Sequence, residues 1–110
     1  MKNLAIVGAG SWGTALAIVL GPRFQRLRLW VYEKDLAARM QATRENDIYL
    51  PGFPLPPHVE VSSELGYALE QAQIVLSVMP SHLVRGLYQR MLPFLQDSTI
   101  FVSASMGSPP

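Results

Sequence analysis

Short apolar runs alternate with helical stripes along nearly the whole of this chain. Asn3–Val7 is a short apolar run suited to a buried strand, and Ser11–Leu20 is a mostly apolar helix. That helix stops at Gly21-Pro22, a glycine exit followed by a residue that cannot continue a helix. Residues 27–32 alternate, with Leu27, Leu29 and Val31 on one face and Arg28, Trp30 and Tyr32 on the other. A helix is predicted over residues 35–44. Residues 45–58 hold Pro51, Pro54, Pro56 and Pro57, which lack the N–H groups of a central strand, and read as one long irregular loop. Residues 59–61 suit only a short strand, and Ser62 or Ser63 caps a brief helix ending near Gln71. Residues 73–79 form a fourth strand, apolar enough to be buried on both faces. Leu83, Val84, Leu87, Tyr88, Met91, Leu92 and Leu95 then recur at spacings of three and four, the stripe of a core-facing helix. Residues 99–103 make the fifth strand.

Strands and helices in strict alternation require parallel strands joined by right-handed crossovers. The expected fold is therefore α/β, a Rossmann-type doubly wound parallel sheet of order 3-2-1-4-5 that ends after its fifth strand, in one domain over residues 1–110. Ligands of such sheets bind where the strand order reverses, here between strands one and four. That places Gly8 to Gly13 on one side of the crevice and Met79-Pro80-Ser81-His82 on the other.

The first of these stretches, Gly8-Ala9-Gly10-Ser11-Trp12-Gly13, carries the spacing of a dinucleotide-binding turn. Gly8 lets the backbone leave the strand in a tight turn. Gly10 removes a β-carbon where a pyrophosphate must approach, and Gly13 lets the helix lie close to the strand. The helix start then offers unpaired N–H groups and its positive dipole end, with Ser11 as a cap that can also give its hydroxyl to the same oxygens. Glu33, near the end of the second strand, stands where an acidic residue accepts hydrogen bonds from the ribose hydroxyls of NAD. The same residue, taken alone, is equally a solvated strand-end carboxylate. Trp12 is, by itself, either an apolar staple at the helix entry or a cofactor contact. His82 reads as a plain first-turn residue, because nothing in the sequence supplies it with an orienting partner.

Composition narrows the partners. The chain has 110 residues, 49% of them apolar and 15% charged, with a formal net charge of +1, which suits one domain with a real core and gives no support for a nucleic-acid partner. Arg23, Arg26 and Arg28 read as a solvated basic stretch. The absence of cysteine excludes disulfides and thiolate metal sites. No apolar run approaches the ~20 residues needed to span a bilayer. The chain enters its first strand directly after Met1 and Lys2, so a cytoplasmic location without a leader peptide is expected.

Four stretches narrow the reading further: Gly8-Ala9-Gly10-Ser11-Trp12-Gly13-Thr14-Ala15-Leu16-Ala17; Leu29-Trp30; Asn46 with Tyr49-Leu50-Pro51-Gly52 and Leu55-Pro56; and Val78-Met79-Pro80-Ser81 with Val102-Ser103-Ala104-Ser105. In these the chain resembles the N-terminal domain of NAD(P)-dependent glycerol-3-phosphate dehydrogenase, which interconverts dihydroxyacetone phosphate and sn-glycerol 3-phosphate. The resemblance implies cofactor contacts at Ser11, Trp12, Tyr32 and Glu33, besides Gly8, Gly10 and Gly13. Tyr32 stands where relatives often carry arginine or histidine, so an arginine-like clamp on a 2′-phosphate is lost. Like charges ~4 Å apart at an effective dielectric near 20 repel by about 4 kcal/mol before screening, so Glu33 favours NAD, with NADP as the second choice.

The chain also departs from that family. Met106 replaces the lysine that relatives carry after the fifth strand, losing a charge-assisted interaction of about 1.5 to 3 kcal/mol with cofactor and substrate. The resemblance further implies that the catalytic lysine, its neighbours and the substrate-phosphate donors belong to a C-terminal helical domain outside residues 1–110. No catalytic residue is therefore assigned, and the chain alone is expected not to turn over. A stand-alone nucleotide-binding or regulatory module is the alternative. Another two-domain dehydrogenase, acting on hydroxyacids or sugar acids, shares the glycine turn, and the Tyr49-Leu50-Pro51-Gly52 loop argues against it. An apolar surface left beyond the fifth strand makes homo-oligomer formation a further expectation.

Overall fold

A computed structural model describes residues 2–104. The apolar runs become a parallel sheet in the order β5-β2-β1-β6-β7, formed by β1 (Asn3–Val7), β2 (Arg26–Trp30), β5 (Val59–Ser62), β6 (Ile74–Ser77) and β7 (Ile100–Ser103). This is the expected 3-2-1-4-5 order, counting only these strands. β1 lies at the centre, with Val7 paired to Trp30 on one side and to Ser77 on the other. Its carboxyl end faces the switch point, where the chain leaves in opposite directions.

Two apolar layers flank the sheet. Leu4, Ile6, Leu27, Leu29 and Val31 pack against Ala17 of α1 (Ser11–Leu20) and against Leu36, Ala37 and Met40 of α2 (Lys34–Thr43). On the other face, Val7, Trp30 and Val75 meet Leu65 and Leu69 of α3 (Leu65–Leu69) and Leu87 and Met91 of α4 (Ser81–Met91). Each fully buried leucine, isoleucine, valine or methionine among them contributes about 1.5–3 kcal/mol. The alternation of β2 thus divides Leu27 and Leu29 from Trp30, as the sequence pattern requires.

Several local expectations are revised. α1 does not leave through a left-handed glycine: Gly21 is right-handed and opens a single 3₁₀ turn, Gly21–Arg23. Space is tight there: a β-carbon would lie 3.0 Å from the Val59 side chain and 3.3 Å from that of Pro56, so these neighbours would have to give way. Gly10, rather than Ser11, occupies the cap position of α1, and Glu64, rather than a serine, that of α3. Ser62 instead accepts a hydrogen bond from the Glu64 N–H at 2.9 Å, a turn just ahead of the helix.

The proline-rich segment is not wholly irregular. β3 (Glu45–Asn46) and β4 (Leu50–Pro54) pair antiparallel as a separate two-stranded unit. Prolines fit because each strand has one partner, so the missing N–H groups cost no ladder bond on a second side. Arg44, the left-handed cap of α2, donates to the carbonyls of Pro56 and Val59 at 2.7 and 2.6 Å and secures the way back into the sheet.

Burial differs from expectation in two places. Ile74 and Leu76 are only half-buried, and Ile100 and Val102 are exposed, so the β6 and β7 half of one sheet face lacks a covering helix among the described residues. Of the α4 stripe, Leu87 and Met91 are buried while Leu83, Tyr88 and Leu92 are exposed. The basic stretch is also not simply solvated. Arg23 is exposed, but Arg28 is buried at 8% exposure, ion-paired to Glu60 and Glu70 at 3.2 and 3.3 Å and stacked on the Tyr67 ring. Arg26 donates to the Glu70 carbonyl. No described helix is long and apolar enough to cross a membrane. Met106 and the divergent end around it lie outside the described residues.

Candidate functional site

The site is built around the turn that joins β1 to α1. Gly8 has φ +118°, a conformation that side chains rarely adopt, and a β-carbon there would meet the Met79 sulfur at 2.8 Å. A β-carbon on Gly13 would lie 1.8 Å from the Gly8 carbonyl oxygen. The first turn of α1 is therefore pressed directly onto the loop. Thr14 is the first residue to donate back along the helix, to Gly10 at 3.0 Å. The N–H groups ahead of it have no intrahelical acceptor and form the positive end of the dipole.

Beside this turn lies a cleft of about 580 Å³, lined on the turn side by Gly10, Ser11, Trp12 and Gly13. Tyr32 and Glu33 line it from the end of β2, Tyr49 from the small hairpin, and Val78, Met79, Pro80 and Leu83 from the far side of the switch point. Six of the seven residues picked out by sequence thus share one cavity. The seventh, Gly8, lies beneath it and shapes the turn. His82 is exposed and does not line the cleft.

A buried junction ties hairpin to turn. Asn46, fully buried, donates through Nδ2 to the Ala9 carbonyl at 2.7 Å and to the Thr14 hydroxyl at 2.8 Å. Its Oδ1 accepts from the N–H groups of Ile48 and Tyr49 at 3.3 and 3.0 Å. One side chain therefore satisfies the glycine loop and shapes the hairpin tip together. The two bonds that Asn46 donates are buried and the two it accepts are part-buried, and side-chain networks of this kind favour a single geometry.

Tyr49 is consequently fixed at three points. Besides its N–H, its carbonyl accepts from Ser11 Oγ at 2.8 Å, and its phenol donates to Glu33 Oε2 at 2.9 Å. The bond to Glu33, with the charge of that carboxylate, pushes the Tyr49 phenol above its usual value of 10.0. The single hydroxyl proton of Ser11 goes to the Tyr49 carbonyl, while its backbone N–H has no intrahelical acceptor. Tyr32 is exposed, its ring braced edge-on against Trp30 at 5.8 Å. Trp12 is 54% exposed at the edge of the cleft.

Tyr49 and Leu83 are site residues that sequence reasoning did not assign. For Tyr49 a signal existed in Asn46, three residues earlier, because asparagine commonly caps the N–H groups that follow it. For Leu83 the helical stripe pointed towards the core.

A family model described as the N-terminus of NAD-dependent glycerol-3-phosphate dehydrogenase matches residues 3–109. The chain belongs to this family. It is 53% identical over 108 residues to a glycerol-3-phosphate dehydrogenase (NAD(P)+) of Koribacter versatilis, covering 97% of this chain and 32% of that protein. Among solved structures, the glycerol-3-phosphate dehydrogenase of Coxiella burnetii superposes with a TM-score of 0.89 at 39% identity, over 94% of this chain and 32% of that one. The Saccharomyces cerevisiae glycerol-3-phosphate dehydrogenase shares the fold at 21% identity, with a TM-score of 0.82. The chain thus spans about a third of the length of the relatives it matches.

The residues present fit a dinucleotide. Nothing lies within 4 Å of a β-carbon built on Gly10, so its open side faces free space beside the helix start. That is a place where backbone can meet a pyrophosphate without a side chain between them. The three-His/Cys/Asp/Glu groupings that hold a metal are absent among the described residues.

Proposed function

We propose that this cleft receives NAD(H), and that the chain is the cofactor-holding part of an enzyme that reduces dihydroxyacetone phosphate to sn-glycerol 3-phosphate. The observation that carries the reading is the contact of Gly13 with the Gly8 carbonyl, which places the α1 start at the cleft beside the open side of Gly10. Bound NADH supplies the hydride. The first-turn N–H groups of α1 hold the pyrophosphate, as helix starts hold anions generally. Trp12 and Tyr32 offer ring faces to the adenosine end, and Glu33 accepts from the ribose hydroxyls, favouring NAD over NADP. Met79, Pro80 and Leu83 form an apolar wall at the other end, where a nicotinamide is kept from water.

The cleft is lined by no lysine, arginine or histidine among the described residues. It therefore lacks a cation to hold a substrate phosphate and a strong proton donor for the new hydroxyl. We take those groups from the two thirds of the relatives' length that the chain does not span. The test is fluorescence titration of the 110-residue chain with NADH, followed by an NADH oxidation assay with dihydroxyacetone phosphate. Saturable binding without oxidation is expected. Absence of binding refutes the cofactor role, and steady oxidation refutes the division of labour. Glycerol 3-phosphate and any self-association enter as partners only through that larger assembly.

A further inference from the structure

We infer that Tyr49 is a specificity-determining positioning residue, whose phenol holds the Glu33 carboxylate so that the cleft prefers a dinucleotide with a free ribose 2′-hydroxyl to one with a 2′-phosphate. The inference rests on the dinucleotide reading above. Glu33 occupies the cap position of α2, yet its side chain makes no capping bond. The shorter aspartate at that position commonly turns back onto the helix N–H groups. Here Glu33 reaches away from α2 and accepts from Tyr49 at 2.9 Å. Tyr49, 40% exposed, is not held by burial. Its place comes from the Asn46 and Ser11 hydrogen bonds on its own backbone, so the phenol is presented to Glu33 by a frame independent of Glu33.

A carboxylate has about four lone-pair sites, of which the phenol uses one. The rest stay available for ribose hydroxyls. A 2′-phosphate would meet the same acceptor-only group, with no cation among the described cleft residues to neutralise it. Removing the phenol returns rotamer freedom to Glu33, which can then turn back to the α2 start and yield to a phosphate. Tyr49 thus acts through Glu33.

Calorimetric titration of the full chain with NADH and with NADPH separates the possibilities, using wild type, Tyr49→Phe, Glu33→Gln and the double variant, each checked for a native thermal melt. Tyr49→Phe is expected to lower the NADH-to-NADPH affinity ratio about 3- to 10-fold. Glu33→Gln should lower it at least as far, and adding Tyr49→Phe to Glu33→Gln should change it by less than about twofold. An unchanged ratio in Tyr49→Phe overturns the inference, as does an equal loss for both dinucleotides, which marks a mere wall. Full additivity of the two substitutions also overturns it. A wild type that binds neither dinucleotide refutes the cofactor reading itself and this inference with it.

Discussion

Replacing Gly13 with alanine probes the contact on which the site is built. The added β-carbon would lie 1.8 Å from the Gly8 carbonyl oxygen and 2.8 Å from its carbon, both backbone atoms. Real contacts essentially never fall below 3.0 Å, so helix and loop must part by about 1.2 Å. Two effects then compete. Alanine favours a helix interior over glycine by ~1 kcal/mol. Overpacking costs about 1–3 kcal/mol, and the upper end applies because no rotamer can relieve a backbone clash. The clash wins, leaving a net loss of about 2 kcal/mol. Urea unfolding followed by circular dichroism should show a lower midpoint at unchanged slope. NADH titration should weaken by roughly tenfold, since the α1 N–H groups no longer lie where the loop presents them. A Gly13→Ala chain with the wild-type midpoint and wild-type NADH affinity would refute the reasoning.

Three further perturbations follow from the geometry. Asn46→Ala takes the acceptor from the Tyr49 N–H and leaves the Ala9 carbonyl only its 3.3 Å bond from the Thr14 hydroxyl, at about 1–3 kcal/mol for a buried group left unsatisfied, and should lower both the urea midpoint and NADH affinity. Asn46→Asp, which keeps the acceptor and loses the donor, should recover little of it. Burial opposes the charge on Glu60, but the Tyr67 hydroxyl and the Arg28 guanidinium outweigh it and hold this carboxyl below its ordinary 4.5. Its contribution is therefore complete above pH 4.5 and is lost as pH falls through the folded value, so acid unfolding curves of Glu60→Gln should be flatter in that window. Because the phenol of Tyr49 is raised by Glu33, its stabilising contribution holds below pH 10.0 and disappears as pH rises through the folded value. The tyrosinate absorbance step lost in Tyr49→Phe should move to lower pH in Glu33→Gln, and an unmoved step would contradict the bond.

Alternation made most of this fold legible. The runs containing Ile6, Leu29, Val61, Val75 and Phe101 each became a strand, because a period of two or an unbroken apolar run leaves few other solutions. The glycine turn was equally legible, since its spacing encodes close approaches of backbone to backbone. Residues whose roles depend on distant partners were not. Arg28 lay on the polar face of its strand by pattern, and only α3 and β5 bring Tyr67, Glu70 and Glu60 around it. The hairpin was concealed by its prolines, which exclude a central strand and leave a two-stranded unit open. Leu83 and Leu92 fit the helical period, yet what covers a helix face depends on its neighbours, and here both side chains stay exposed. Tyr49 belongs with these: its function is visible only once Asn46 has turned it towards Glu33.

The Asn46 bond to Ala9 spans 37 residues of chain, and that separation governs when the turn becomes rigid. During chain growth the glycine segment is made before Asn46, so this hydrogen bond is missing until Asn46 has been added. Closing so long a loop costs entropy that only the assembled β1, β2 and α2 framework offsets. A segment ending before Asn46 would keep every glycine of the motif and its bond from the Gly8 N–H to Trp30, and would lose the Asn46 bonds to Ala9 and Thr14. Part of what holds the glycine turn thus comes late in the chain, from a residue that the motif does not contain.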